Sequence, residues 1–195
     1  MQPQAAGTSN MRNTLADIPH FQLRTDVVKL LAPGSLGVEL GVAEGRFSES
    51  LLRTGRFAHL FSIDMWAGDR NHDTAQYKTA LQRLLPFKEQ NTTLRMTFDE
   101  ALDLFPDAYF DFIYVDGYAH TGEEEGRTFR HWWPKLKPGG VMAGDDYSPQ
   151  WPLVIQAVDR FAADFQLEIA ILNFQKSDDP WSRYPTWVTT KPEAK

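Results

Sequence analysis

Leu36-Gly37-Val38-Glu39-Leu40-Gly41-Val42-Ala43-Glu44-Gly45-Arg46-Phe47-Ser48 decides how the rest of the chain is read. Small and apolar residues lead to Glu39, and Gly41 and Gly45 follow. Phe47 and Leu51 then stand four apart with Leu52 beside them, the spacing of one buried helix face. The pattern predicts a buried strand near 36–40, a tight glycine turn and a helix from about 46. Glycines let a backbone turn and approach a ligand without a side-chain penalty. A loop opening onto a helix N-terminus is a ligand cradle in open α/β sheets. Taken alone, the stretch also fits a plain glycine turn in an α/β fold. A dinucleotide fingerprint needs Gly-x-Gly-x-x-Gly and a phosphate loop needs Gly-Lys-Ser or Gly-Lys-Thr; neither is present. Glu39, just before the loop, repels a pyrophosphate and suits a cationic or hydroxyl-bearing ligand.

Outward from this stretch, 195 residues suffice for one sizeable core, and a single domain over 1–195 is expected. The formal charge is −6 with no basic run, which argues against a nucleic-acid partner. The chain has no cysteine, so disulfides, thiolate metal ligands and a cysteine nucleophile are excluded, in keeping with a cytoplasmic location. No apolar run has membrane-spanning or signal-peptide character. Residues 1–14 read as a flexible tail and 15–32 as a helical cap ending before Pro33-Gly34, with His20 on a solvated loop.

Downstream, strands and helices alternate. His59-Leu60-Phe61-Ser62-Ile63 is a strand ending in Asp64-Met65-Trp66, and an acid there can accept both hydroxyls of a ribose. Asp73 caps a helix carrying Tyr77, Ala80, Leu81, Leu84 and Leu85, closed by Pro86. A third strand covers 92–96, with Met96, Thr97 and Phe98 at its carboxyl end and a helical turn from Asp99. Phe110 to Val115 is the clearest buried strand and ends in Asp116-Gly117. Glu123-Glu124-Glu125 begin the next helix, which runs to Lys135-Leu136-Lys137-Pro138-Gly139-Gly140. A fifth strand, 141–144, delivers Asp145-Asp146-Tyr147. A helix from Pro152 precedes strands at 167–172 and 186–190, which suit an antiparallel hairpin at one sheet edge. The fold class is therefore α/β: a Rossmann-like, doubly wound, mostly parallel sheet with helices on both faces.

Ligands of such sheets bind outside the strands' carboxyl ends. Glu39, Asp64, Asp99, Asp116, Asp145 and Asp146 all fall there, and unpaired strand-end acids cost desolvation, so a ligand or metal is expected among them. With the fourth and fifth strands adjacent, Asp116, Asp145 and Asp146 form an oxygen set suited to Mg²⁺ or another divalent cation rather than zinc.

The glycine loop, Asp64, Asp116-Gly117 and Lys137-Pro138-Gly139-Gly140 together resemble a class I S-adenosylmethionine-dependent methyltransferase over about residues 30 to 172. The chain is most similar to a bacterial small-molecule O-methyltransferase branch with Val-Glu-x-Gly-x-x-x-Gly, an Asp-Gly-x-His-like turn and a late Gly-Gly-x-x-x-x-Asp-Asp-Tyr. That branch is related to divalent-cation-dependent, catechol-type enzymes. The resemblance implies that Gly41 and Gly45 hold the amino-acid half of S-adenosylmethionine, with Glu39 near its ammonium. It further implies that Asp64, with Met65 beside it, holds the ribose and that Phe98 and Asp99 border the adenine. Asp116, also beside the cofactor, joins Asp145 and Asp146 as ligands of Mg²⁺, which would acidify a substrate hydroxyl and align it with the methyl. Asp116-Gly117-Tyr118-Ala119-His120 is one residue longer than the family turn, and no tyrosine follows the histidine. His120 or, without metal, Asp116 is the candidate catalytic base.

Two other classes stay open on sequence: a nicotinamide-dependent oxidoreductase, disfavoured by the missing third glycine, and a non-catalytic metabolite-binding protein. The acceptor is expected to be a small molecule walled by the first 25 residues, the loop 66–76 and the loop 174–185, with Trp66, Trp181 and Tyr184. A homodimer is open to the chain, as for many related enzymes.

Overall fold

The computed structural model describes residues 13–67, 72–173 and 183–193. One seven-stranded sheet carries the fold. Its strands are β1 (Ser35–Leu40), β2 (Phe57–Asp64), β3 (Asn91–Arg95), β4 (Phe110–Val115), β5 (Leu136–Gly144), β6 (Ala170–Leu172) and β7 (Thr186–Thr190). The order is β3-β2-β1-β4-β5-β7-β6; the first five are parallel and β7 runs antiparallel to both its neighbours. The helices are α1 (Arg46–Arg53), α2 (Thr74–Leu84), α3 (Phe98–Leu102), a left-handed turn labelled α4 (Gly122–Glu125), α5 (Arg127–Trp132) and α6 (Pro152–Phe165).

Strand periodicity splits the core into two layers. On β4, Phe112 and Tyr114 face the layer containing α1 and the N-terminal cap, while Ile113 and Val115 face the layer of α3, α5 and α6. The topological switch lies between β1 and β4, so their carboxyl ends and those of β2 and β5 open onto one crevice.

Four local readings differ from the sequence expectation. The cap is two 3₁₀ helices, Leu15–His20 and Arg24–Leu30, instead of one helix. Pro19, which lacks an N–H, lies inside the first, which ends one residue later at His20. Lys137 to Gly140 belong to β5, because Gly139 N donates to Lys191 O and Lys191 N to Gly140 O, both at 2.8 Å. The late strand is only 170–172. The run Glu123 to Glu125 does not open a right-handed helix: its φ values are 55°, 56° and 59°, and the right-handed helix starts at Arg127. Among the described residues no helix is long and apolar enough to cross a membrane. The tail 1–12, the loop tip 68–71 and residues 174–182 with Trp181 lie outside the described residues.

Candidate functional site

The loop after β1 is held in place from both sides. At Gly41, φ is +97° and an added Cβ would sit 2.0 Å from Asp116 O, so only glycine allows this approach of the loop to the end of β4. Asp64 closes the other side. Its Oδ2 accepts from Val42 N at 2.9 Å and Ala43 N at 3.0 Å, and its Oδ1 accepts from Trp66 N at 3.0 Å. His72 Nδ1 lies 3.6 Å from Oδ2. Burial alone would raise the Asp64 carboxyl; hydrogen bonds from His72 and from the amides of Ala43, Trp66 and Val42 outweigh it and hold the group below its ordinary value. Ala43 and Trp66 have φ of 49° and 41°, sparsely populated for non-glycine residues, and Trp66 Nε1 donates to Ala43 O at 2.9 Å. Backbone strain persists where surrounding bonds over-determine it, as these do.

Glu39 sits beneath the loop. Its buried carboxyl accepts from Ser48 Oγ, which lies 2.9 Å from Ser62 Oγ, which in turn accepts from Asn91 Nδ2 at 2.8 Å. Burial raises it to about 8, with Ser48 opposing.

The ends of β4 and β5 are built differently. The register pairs Tyr114 with Ala143 and Val115 with Gly144, which brings Asp116 and Asp145 side by side. Between them comes Arg24 from the second 3₁₀ helix, 6 % exposed. One nitrogen, Nη2, donates to Asp116 Oδ2 and lies 3.2 Å from Asp145 Oδ2. Nε donates to Tyr114 Oη at 2.6 Å, and that oxygen is 3.2 Å from Thr186 Oγ1. The guanidinium carbon stands 4.1 Å from the Phe47 ring centroid and 4.8 Å from that of Tyr114. Burial works against the charge on Arg24, but Asp145, Tyr114 and Asp116 more than restore it. For Asp145 burial and the charges of Asp116 and Asp146 push upward while Arg24 pulls down. The basicity of guanidinium decides the pair: Arg24 is the cation, and the surrounding carboxyls compete for it. Asp146, at φ 65°, is raised to about 7 by burial and then by Asp116, with Arg24 opposing. Glu123 is buried with no hydrogen-bond partner on Oε2 among the described residues, and burial followed by Asp116 and Asp146 pushes it well above a carboxylate's usual range.

A cavity of about 210 Å³ joins the two halves. Gly41, Asp64, Met65, Phe98, Asp116 and Asp146 line it, together with Trp66, His72 and the turn from Gly117 to Ala119. The other expected site residues fall elsewhere. Gly45, at φ +77°, starts α1 behind the loop, and Glu39 faces Ser48. Asp99 pairs with Arg127 at 3.1 Å and His131 at 3.4 Å. His120 lines an adjoining groove with Thr121, Glu124, Arg127 and Arg160. Tyr184 packs edge-on against Trp151 at 6.1 Å, and Trp66 is fully buried.

The expected Mg²⁺ set of Asp116, Asp145 and Asp146 is not assembled. Among the described residues no three or more His, Asp or Glu side chains are arranged to hold a metal ion. The physical reason is Arg24, whose guanidinium already takes oxygens of two of the three acids. Arg24 and Glu123 are the residues that sequence reasoning passed over. The signal for Arg24 was an arginine set just before the mostly apolar run Val27 to Leu31 of the cap.

A family model described as a methyltransferase domain matches residues 38–147. An uncharacterized protein of Sinorhizobium fredii, y4gI, is 30% identical over 115 residues, which make up 57% of this chain; the chain spans 12% of that protein's length. Among solved structures, a SAM-dependent O-methyltransferase from Thermotoga maritima aligns over 93% of this chain and 72% of its own, with TM-score 0.63 and 14% identity. The N-methyltransferase NodS from Bradyrhizobium japonicum aligns over 87% and 92%, with TM-score 0.61 and 19% identity. Spermidine synthase from Thermotoga maritima aligns over 88% of this chain and 61% of its own, with TM-score 0.61 and 16% identity. These structural likenesses share the fold, that of class I S-adenosylmethionine-dependent methyltransferases, and differ in chemistry.

Proposed function

The chain belongs to this methyltransferase-domain family, and on that premise we propose that it carries a methyl group from S-adenosylmethionine to a hydroxyl of a small molecule. The observation that supports this best is one cavity bordered by both the Gly41–Asp64 cradle and Asp146. The residues suit the cofactor. Gly41 keeps the loop backbone clear of a Cβ, and Asp64 has Oδ2 committed to the loop amides, while Oδ1, which accepts from Trp66 N, keeps its second lone pair for a ribose hydroxyl. Met65 and Phe98 offer apolar surface to the adenine. Gly45 and Glu39 act from behind the loop, by fixing its shape and the start of α1, and Asp99 from outside the cavity. Bound there, the sulfonium supplies an electrophilic methyl group.

The protein's own task is then to orient an oxygen and remove its proton. Asp146 lines the cavity and titrates at about 7, which suits a general base at neutral pH. Asp146 would take the acceptor O–H proton, leaving an oxygen nucleophile for the methyl group that the bound cofactor would supply. Asp116, charge-paired to Arg24, borders the same space and orients the acceptor, while His120 forms part of the adjoining groove as an acceptor wall. The test is incubation with methyl-tritiated S-adenosylmethionine and a small-molecule extract. Label in a base-stable methyl ether, lost in Asp146→Asn, is the expected result. Label on nitrogen, or no transfer from a protein that binds the cofactor, contradicts it.

A further inference from the structure

We propose that Arg24 stands in for the divalent cation of the site, so that the charge holding Asp116 and Asp145 together belongs to the chain itself. Three observations carry this. A single buried nitrogen bridges the two acids, at the place where two strand-end carboxylates would otherwise share a metal. The guanidinium is fixed in that place by Tyr114 Oη at 2.6 Å and by the Phe47 ring face at 4.1 Å, so it cannot swing aside to admit an ion. The segment delivering it is anchored: Val27, Val28, Leu30 and Leu31 are buried, and Asp26 Oδ2 accepts from Gln22 N at 2.8 Å and Leu23 N at 3.0 Å.

Arg24 is thereby a positioning residue, acting on the cavity through Asp116. Its consequence for substrate class rests on the methyl-transfer reading. A metal between these acids would recognise an acceptor by chelating two adjacent oxygens. A guanidinium offers only N–H donors and has no open coordination position. The acceptor is then a compound with a single reacting hydroxyl, held by hydrogen bonds, and needs no vicinal oxygen pair. The N-terminal cap becomes part of the active centre, because the site lacks its cation without it.

The experiment uses the full chain and two titrants, Mn²⁺ followed by electron paramagnetic resonance and S-adenosylhomocysteine followed by calorimetry. Wild type is expected to bind no Mn²⁺ saturably, and its nucleoside affinity is unchanged by EDTA. Arg24→Met, checked for folding by circular dichroism, leaves the two acids facing each other and gains one Mn²⁺ site, which the added Asp145→Asn change removes. Its nucleoside affinity without metal falls about tenfold, the scale of one lost charge-assisted contact at the cavity wall. Arg24→Lys keeps a cation there, takes no Mn²⁺ and holds its affinity closer to wild type, so it serves if the Met variant does not fold. A stoichiometric wild-type Mn²⁺ site abolished by Asp145→Asn overturns the proposal, as does a folded Arg24→Met protein that takes no Mn²⁺, or an Arg24→Lys protein that does. Failure of wild type to bind the nucleoside, whatever Mn²⁺ does, counts against the methyl-transfer reading instead.

Discussion

Asp64 and Asp145 are the same residue type at the same kind of place, the carboxyl end of a parallel strand, yet their environments are opposites. Asp64 is surrounded by three backbone amides from its own turn and the neighbouring loop, and its carboxyl is held below the ordinary value. Asp145 has one oxygen near Arg24, the other buried without a partner among the described residues, and two more acids beside it. The first half of the site is fixed by the backbone and is stiff. The second half is held by one long side chain and carries more acid than base. A backbone-built half suits a ligand that is always the same, and a side-chain-built half can change with the acceptor.

Breaking the second half has the largest expected effect. Arg24→Met leaves the buried Asp145 and the half-buried Asp116 without their cation and should cost about 3–5 kcal/mol, read from urea unfolding at neutral pH. A loss below about 1 kcal/mol would mean that the acids are satisfied without it. The next effect is on rate. Asp146, raised to about 7, must lose its proton to act as base, so kcat should rise through pH 7 to a plateau. Asp146→Asn removes that limb and lowers kcat about 100-fold. An unchanged profile would move the base elsewhere.

Glu39 sharpens the comparison from the stiff side. Its folded value of about 8 exceeds its unfolded value of about 4.5, so the native state holds a proton that the unfolded chain releases. Stability conferred by that proton is full below pH 4.5 and is lost as pH rises toward 8, at up to about 1.4 kcal/mol per pH unit. Glu39→Gln should flatten this slope while leaving cofactor affinity within about twofold. The smallest effect is at Glu125, exposed and left-handed at φ 59°. Glycine there should add about 0.5 kcal/mol, the relieved strain partly offset by the entropy of the unfolded chain. A destabilisation would show that the Glu125 side chain makes contacts worth more than its backbone strain.

The sheet was legible because its signals are local: strand and helix periods, glycines between them, and acids ending the strands at 64, 116 and 145. Asp64 was legible as a position, but its engagement with Val42 and Ala43 depends on a loop conformation with positive φ at Ala43, which nothing in that residue announces. The metal reading finds no assembled ligand set among the described residues for a related reason. Counting Asp116, Asp145 and Asp146 finds the negative charge, whereas the balancing Arg24 lies 92 positions before Asp116 and meets it only after the cap folds over the sheet. Glu123 was read as a helix-start acid because three glutamates before an apolar helix usually are that; the left-handed turn between Gly122 and Gly126 instead drives it inward.

The most direct measurement is calorimetric titration of S-adenosylhomocysteine into wild type and Asp64→Ala at neutral pH. The account predicts saturable one-to-one binding to wild type, weakened about 100-fold in the variant, because the substitution removes both the acceptor and the three amide bonds that shape the loop. Equal affinity in a folded Asp64→Ala protein, or no binding to wild type, would contradict the assignment of the Gly41–Asp64 cradle to the cofactor.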